Sequence, residues 1–439
     1  MELSGLQKCI AQKQSRTKVL KEEENTMLKN IGKKVLASGL ALVLGLATVA
    51  CDSKESASGT SDGNGATLSI AARGGSHVDA INAVKDAFEK DHNVKIEVTG
   101  YENADLKTNI MLDSSNNTGD FDLVMLDDPW IPEMTQANIL YNLTEHKYEP
   151  DPDFIQASMD IGKAPHATGD QFALPFAGNV MLLFYNTEMV KDAPTSWEGV
   201  LDLANQVKSD GKLGYVIRGQ QGNPIVSDWL PIFWANGGDV FDKDWKATVN
   251  NEAGIEALKL YIELLNSGAN YEKNDLVSSV ADGNAAMALG WPSWFVTDEG
   301  ATAAYAPIPG KFSEASEEHP AGLIGNWFMG VTANSGNKDI AVELLKYLTS
   351  AESQKEMAKV GGVPTRTSVL NDAELVEANP HFPTLAEGTE KSKVRPRTEK
   401  WGECEEALGA ELSAAVTGAK SVEQALADAE KEMNKIMGK

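Results

Sequence analysis

TLSIAARGGSHVDAINAVKDAFEKDHNVKIEVTG, Thr67 to Gly100, is the stretch that decides the fold class. Leu68-Ser69-Ile70-Ala71 reads as a strand. Ala80, Ile81, Val84, Ala87 and Phe88 then recur at the spacing of one helical face, and Ser76 with Asp79 is expected to cap that helix. Val94 to Val98 is a second strand. A helix follows around Leu106 to Leu112, and Phe121 to Leu126 is an apolar, buried strand. Strand–helix–strand alternation in so little chain predicts an α/β body built on a mostly parallel, doubly wound sheet.

The same grammar continues downstream. Thr195-Ser196-Trp197-Glu198 opens a helix whose stripe is Val200, Leu203, Ala204 and Val207, and Gly211 stops it. Ile255, Leu258, Ile262 and Leu265 mark another helix. Asp339 to Thr349 is a third, and Ser421 with Gln424 caps a last one from Val422 to Met437. This body of ~370 residues exceeds a typical single core, so two lobes are expected.

Composition excludes several functions. Apolar residues are 42% and charged residues 23% of the 439, a globular mixture, and the formal charge is −25. A phosphate-tracking role needs basic stripes, so no nucleic-acid partner is expected. The three cysteines, Cys9, Cys51 and Cys404, and six dispersed histidines offer neither a disulfide framework nor metal-ligand spacing. No metal or cofactor is expected.

Met27 to Cys51 reads as a secretory signal. Lys29, Lys33 and Lys34 precede the uncharged run Val35 to Ala50, which falls short of the ~20 apolar residues that span a bilayer. The run ends in Ala47-Thr48-Val49-Ala50-Cys51, which resembles a bacterial lipobox with Thr48 where Leu or Val is preferred. Cys51 is then the expected lipidation site, and translation is expected to begin at Met27 rather than Met1. Residues 1–50 comprise the upstream segment and signal. Cys51 to Ala66 form a Ser/Gly/Asp-rich tether, with a reach of about 20 Å as a flexible chain.

No nucleophile elbow, P-loop, metalloprotease helix, EF-hand loop or dinucleotide fingerprint is present. Asp127 and Asp128 are adjacent, and neighbours on a strand point to opposite faces. A glycosidase pair must face each other across ~5–9 Å, so the chain is not expected to be an enzyme. Instead tryptophans sit beside Gly, Pro, Asn or Asp, as in Asp127-Asp128-Pro129-Trp130, Gly290-Trp291-Pro292-Ser293-Trp294 and Gly325-Asn326-Trp327. A sugar presents an apolar C–H face, on which a flat ring stacks, and a rim of hydroxyls that Asp, Asn and Arg can pair. Trp291 and Trp327, at strand–loop junctions, read as ligand contacts. Trp130 fits either role, and Trp197 and Trp245 read as packing within helical stripes.

Six segments, in order, resemble the family 1 extracellular solute-binding proteins of bacterial carbohydrate ABC importers, similar in layout to maltodextrin-binding protein. They are FDLVMLDDPWIPEMTQANILYNLTE from Phe121, FALPFAGNVMLLFYN from Phe172, PTSWEGVLDLA from Pro194, GNAAMALGWPSW from Gly283, NKDIAVELLKYLTS from Asn337 and GGVPTR from Gly361. The resemblance implies a two-lobed, periplasmic-binding-protein-like fold with mixed and parallel sheets and a hinge between the lobes. It places the first lobe at 67–178 and 301–362 and the second at 179–300 and 363–439. The crossings would lie at Phe172 to Asn179, near Ala301 to Pro309, and near Gly361 to Arg366.

By the same resemblance the cleft would comprise Asp127 or Asp128 with Trp130, Asn179 at the hinge, and Arg218, Gln221 and Asn223 on a second-lobe loop. Trp291 or Trp294 would stack, Asn326 and Trp327 would return from the first lobe, and Arg366 and the late platform Trp401 would complete it. Arg73 and His77, after the first strand, are candidate hydroxyl donors. Asn179 departs from the maltodextrin relative, which has a carboxylate there. The expectation is a monomeric lipoprotein on the outer face of the cytoplasmic membrane that binds a carbohydrate and hands it to ABC permease subunits. The rival readings are a receptor for another solute, such as a polyamine, an iron complex or a peptide, and a surface glycoside hydrolase or adhesin.

Overall fold

The computed structural model describes residues 65–294 and 302–439; the signal, lipobox and tether lie outside them. The opening stretch folds as read. Strand β1 (Thr67–Arg73), helix α1 (Ser76–His92), strand β2 (Lys95–Tyr101), helix α2 (Asn103–Asn116) and strand β3 (Leu123–Asp127) follow one another. β1 pairs parallel with both β2 and β3. Leu68, Ile70, Ala71 and Ala72 are all buried, as expected of a strand covered on both faces. The start of α1 differs from the expectation. Its N-cap is Gly75, at φ 81°, and no side chain caps it, so Ser76 lies inside the helix. The left-handed backbone there suits glycine.

Strand β4 (Ala173–Ala177) then leaves the first sheet, and β5 (Leu182–Asn186) begins a second. That second sheet also holds β6 (Leu213–Ile217), β7 (Ala269–Asn270), β8 (Ala285–Gly290) and β9 (Ala303–Ala306), in the order β9-β5-β8-β6-β7. The first sheet runs β2-β1-β3-β10-β4, where β10 is Trp327–Val331. Both sheets are mixed. In the first, β10 is antiparallel to β3 and β4, because it re-enters from the other lobe instead of through a right-handed crossover.

Each sheet has its own apolar core. One gathers β1–β4, α1 and helix α7 (Lys338–Leu348). The other gathers helices α3 (Trp197–Ser209), α4 (Asn223–Ala235), α5 (Glu252–Ser267), α9 (Trp401–Val416) and α10 (Val422–Met437). Two further helices, α6 (Lys273–Ala281) and α8 (Ala351–Ala358), flank them. Ser421 caps α10 as the sequence predicts, accepting from Gln424 N–H, whereas α3 is capped one residue later than the Thr195–Glu198 box implies, by Ser196, which accepts from Gly199 N–H. Trp245 is not in a helical stripe. It occupies a tight turn at φ 58°, 39% exposed, against Phe241.

The lobe boundaries also shift. Ala303–Ala306 pairs in the second sheet, so the chain returns to the first lobe only at Gly322 to Trp327, not near Ala301 to Pro309. The Gly361 to Arg366 segment does not cross: Phe154 bridges Arg366, and Thr365 Oγ1 donates to the Pro175 carbonyl, both on the first lobe. Its guanidinium is tied down by Asp151, Asp153 and the Thr349 carbonyl. The chain crosses later, at Ser392 to Arg397, so the final part of the second lobe starts near Trp401 and not at Val363. The described crossings lie side by side. Met181 N–H donates to Leu323 O, Ile324 N–H to Lys393 O, and Gly322–Leu323 pairs parallel with Ser392–Lys393.

Among the described residues no helix is long and apolar enough to cross a membrane, and no group of three His, Cys, Asp or Glu side chains is placed to hold a metal.

Candidate functional site

Trp327, the first residue of β10, is the centre of the site. It is registered opposite Asp127 on β3 and Ala177 on β4. Directly opposed residues in an antiparallel pair project from one face, so Asp127 and Trp327 emerge together. The ring of His77 meets Trp327 edge-on, with centroids 5.4 Å apart and planes at 69°, and Trp130 does the same at 6.0 Å and 85°. Edge-to-face contacts of this kind hold an indole in one orientation. The positions follow from topology: the loop after β1, the end of β3, the start of β10 and the exit from β4 all meet at one edge of the first sheet, where open α/β sheets place their ligands.

Beside Trp327 is a partly open cavity walled by His77, Phe176, Asn179, Met357 and the Gly361–Pro364 loop. Gly178 N–H donates to Val363 O at 2.8 Å, and a Cβ on Gly178 would lie 2.4 Å from the Pro364 carbonyl oxygen. The close approach of this loop to the crossing therefore needs a glycine. No Asp, Glu, Lys or Arg lines the cavity. Burial, and then the charge of Arg73, lower the His77 pKa to about 4, so the imidazole is neutral at neutral pH and offers one donor and one acceptor. Asn179 gives its backbone N–H to Asn326 Oδ1 at 2.7 Å, while its own side-chain oxygen is buried without a protein donor. Asn326 in turn donates to Ser158 Oγ at 2.7 Å and braces the crossing.

Next to Trp327 stands a buried ion cluster. Arg395 Nη2 pairs with Asp127 at 3.1 Å and with Asp128, while Arg397 donates to the carbonyls of Asp128, at 2.6 Å, and Ile161, at 2.8 Å. Burial lifts the Asp128 pKa to about 7, against the pull of Arg395 and Arg397 and with the repulsion of Asp127. From the second lobe, Glu405 faces Arg395 and accepts from Asn223 Nδ2 at 3.0 Å. The guanidinium of Arg395 thus lies between carboxylates of the two lobes. Its Nε is buried without a partner.

The sequence-predicted residues divide accordingly. His77, Asn179 and Trp327 come together on the cavity, with Asp127, Trp130 and Asn326 immediately behind or beside them. Arg73 ends β1, paired to Glu102 at 2.8 Å. Arg218 is buried in a bidentate-like grip on Asp228 and covers the ring of Trp294 at 4.8 Å. Gln221 is exposed and Asn223 is engaged by Glu405. Trp291 is packed with its ring edge on Gly325. Trp401 is 1% exposed, inside the second-lobe core, and Arg366 serves the first-lobe scaffold. Sequence reading missed Arg395, Arg397, Glu405 and the loop to Pro364. The Arg-Pro-Arg spelling was a usable signal, since residues before proline are held extended and two arginines on an extended segment need anionic partners.

A family model for bacterial extracellular solute-binding protein matches residues 83–384. A Sinorhizobium fredii protein described as a probable amino-acid ABC transporter periplasmic-binding protein is 24% identical over 402 residues, 85% of this chain and 90% of its own. The galactooligosaccharide-binding protein of Bacillus subtilis is 23% identical over 415 residues, 90% and 95% of the two chains. Among solved structures, an Agrobacterium radiobacter ABC transporter solute-binding protein in complex with ribitol superposes at TM-score 0.75 with 22% identity, covering 85% of this chain and 99% of that one. The fold likeness extends over most of both chains, the family model matches more than half of this one, and the chain belongs to the bacterial extracellular solute-binding protein family.

Proposed function

We propose that this chain captures a neutral, polyhydroxylated solute, a carbohydrate, between its lobes and delivers it unchanged to an ABC importer. The observation that carries this reading is the pairing of an indole with uncharged polar groups on one cavity wall: Trp327 beside the neutral imidazole of His77 and the unpaired side-chain oxygen of Asn179. A buried carbonyl without a donor is costly, and a hydroxyl supplies that donor while the C–H face of the same ring lies on the indole. The names of the Bacillus galactooligosaccharide-binding relative and of the ribitol complex support the same class.

The Sinorhizobium relative brings an amino acid into consideration as the solute. An α-amino and an α-carboxylate group each want a countercharge, and the cavity lining has none. Hydrolysis is disfavoured because Asp127 and Asp128 are both held by Arg395. Attachment through a lipid on Cys51, outside the cytoplasmic membrane, is the reading of the N-terminal sequence and completes the proposal.

Titration calorimetry with monosaccharides, alditols and oligosaccharides against a matched amino-acid panel tests this. Heat from sugars and none from amino acids is expected, with Kd near micromolar or about −8 kcal/mol. Saturable heat from an amino acid alone would overturn it.

A further inference from the structure

We infer that the solute carries a methyl group where common hexoses carry a hydroxymethyl group: it is a 6-deoxyhexose, whose C6 methyl enters the apolar side of the cavity beside Trp327. This rests on the carbohydrate reading above and narrows it.

The cavity has two unlike sides. On one, His77 in the first turn of α1 and Asn179 after β4 bring an imidazole and an amide to the wall. On the other stand Phe176, Met357, Val363 and Pro364, which bring only aromatic, thioether and hydrocarbon surface. This second side follows from how the chain leaves α8. Gly361, at φ 93°, takes a left-handed backbone open to glycine, and the turn folds back so that Gly362 N–H donates to Met357 O at 2.9 Å. The Gly178–Val363 hydrogen bond, at 2.8 Å, then lays Val363 and Pro364 along the exit from β4, next to Phe176.

Polar groups close to that side are already committed. Gln354, also on the wall, gives Nε2 to Thr365 Oγ1 at 2.8 Å and takes Thr365 N–H on Oε1 at 2.9 Å. Gly361 N–H goes to Ala358 O, Gly362 N–H to Met357 O, and a proline has no N–H to give. A hydroxyl pressed against Phe176, Met357, Val363 and Pro364 would give up its water partners without finding a side-chain partner, which is costly. A methyl group there loses nothing and gains by burial. In a hexose, C6 is the carbon outside the ring. Removing its oxygen leaves a projecting methyl for the apolar side, while the ring hydroxyls stay for His77 and Asn179 and the C–H face for Trp327.

The test is calorimetry on the full chain with sugars matched in every ring hydroxyl: L-fucose against L-galactose, L-rhamnose against L-mannose, and 6-deoxy-D-glucose against D-glucose, with methyl glycosides as a further arm. In the pair whose ring stereochemistry fits, the 6-deoxy sugar is expected to bind about tenfold or more tighter than its hydroxylated counterpart. Val363→Thr keeps the side-chain shape and adds a hydroxyl at a half-buried position of the loop. It is expected to cut that ratio about threefold or more, at a melting midpoint that shows the fold intact. Equal or tighter binding of the hydroxylated sugar in every pair would overturn the inference and leave sugar capture standing. A gain from methyl glycosides with none from the 6-deoxy sugars would put the methyl on another carbon and overturn it too. So would a ratio unmoved in Val363→Thr, because the loop would then not be the discriminating wall. Silence from every sugar, with heat from some other solute, would overturn the parent reading and this one with it.

Discussion

Trp327 concentrates the chemistry of this chain in one side chain, because strand register places it against Asp127, Ala177 and, through the loop after β1, His77. Trp327→Ala is expected to weaken solute binding by roughly 1–3 kcal/mol through lost aromatic burial, measured by calorimetry, with the fold intact. Unchanged affinity would show the pocket to lie elsewhere. Arg395 is expected to behave differently. Removing one partner of a buried ion cluster leaves uncompensated charge, so Arg395→Ala should destabilise by about 3–5 kcal/mol in chemical denaturation. His77 carries a pH signature. Its pKa is lowered from 6.5 to about 4 on folding. The unfolded chain therefore binds the extra proton between these values, and the stabilisation present above 6.5 is lost as pH falls toward 4. Relative to His77→Gln, the wild type should lose melting temperature between pH 7 and pH 4.5. A constant difference would contradict the neutral imidazole.

At the scale of elements, the local capping rule held at the start of α10. Ser421 accepts from Gln424 N–H at 3.1 Å and so relieves one of the orphan donors at the start of α10. Ser421→Ala should cost about 1 kcal/mol of stability in urea titration and leave solute affinity alone. The rule failed at α1, where Gly75 takes the cap position in a left-handed conformation that brings Ser76 and His77 onto the helix facing Trp327. A capping serine would have held the entry in extended backbone. Glycine matters again at Gly178, where an added methyl would strike the Pro364 carbonyl oxygen. Gly178→Ala should therefore shift the loop that walls the cavity and weaken binding more than it lowers the melting temperature.

For the whole molecule, the paired crossings at Met181, Leu323 and Lys393 make a narrow band through which the two cores are covalently joined. Each core is separately apolar and separately sheeted, so relative motion of the lobes costs little internal packing. Solution scattering with saturating sugar should show a smaller radius of gyration than the free protein. No contraction in the presence of bound ligand would mean the pocket is preformed within the first lobe alone. The position of this band was not legible. The family resemblance placed crossings near Ala301 to Pro309 and near Gly361 to Arg366, but which strands enter which sheet depends on pairing partners that are distant in the chain.

The amino-acid sequence alone determined the α/β alternation, the two-core size, the helix cap at Ser421, and Trp327, a tryptophan at a strand–loop junction, as a site candidate. These follow from periodicity, turn chemistry and neighbouring residue types, all of which act over short chain distances. Tertiary structure alone decided that Trp401 and Trp291 are packed rather than offered to solute, that Arg366 braces the first lobe, and that Arg395 pairs with Asp127 across 268 positions of chain. An indole stabilises a core and a sugar by the same burial of apolar surface. Only the identity of what lies against it, set by long-range pairing, tells the two apart.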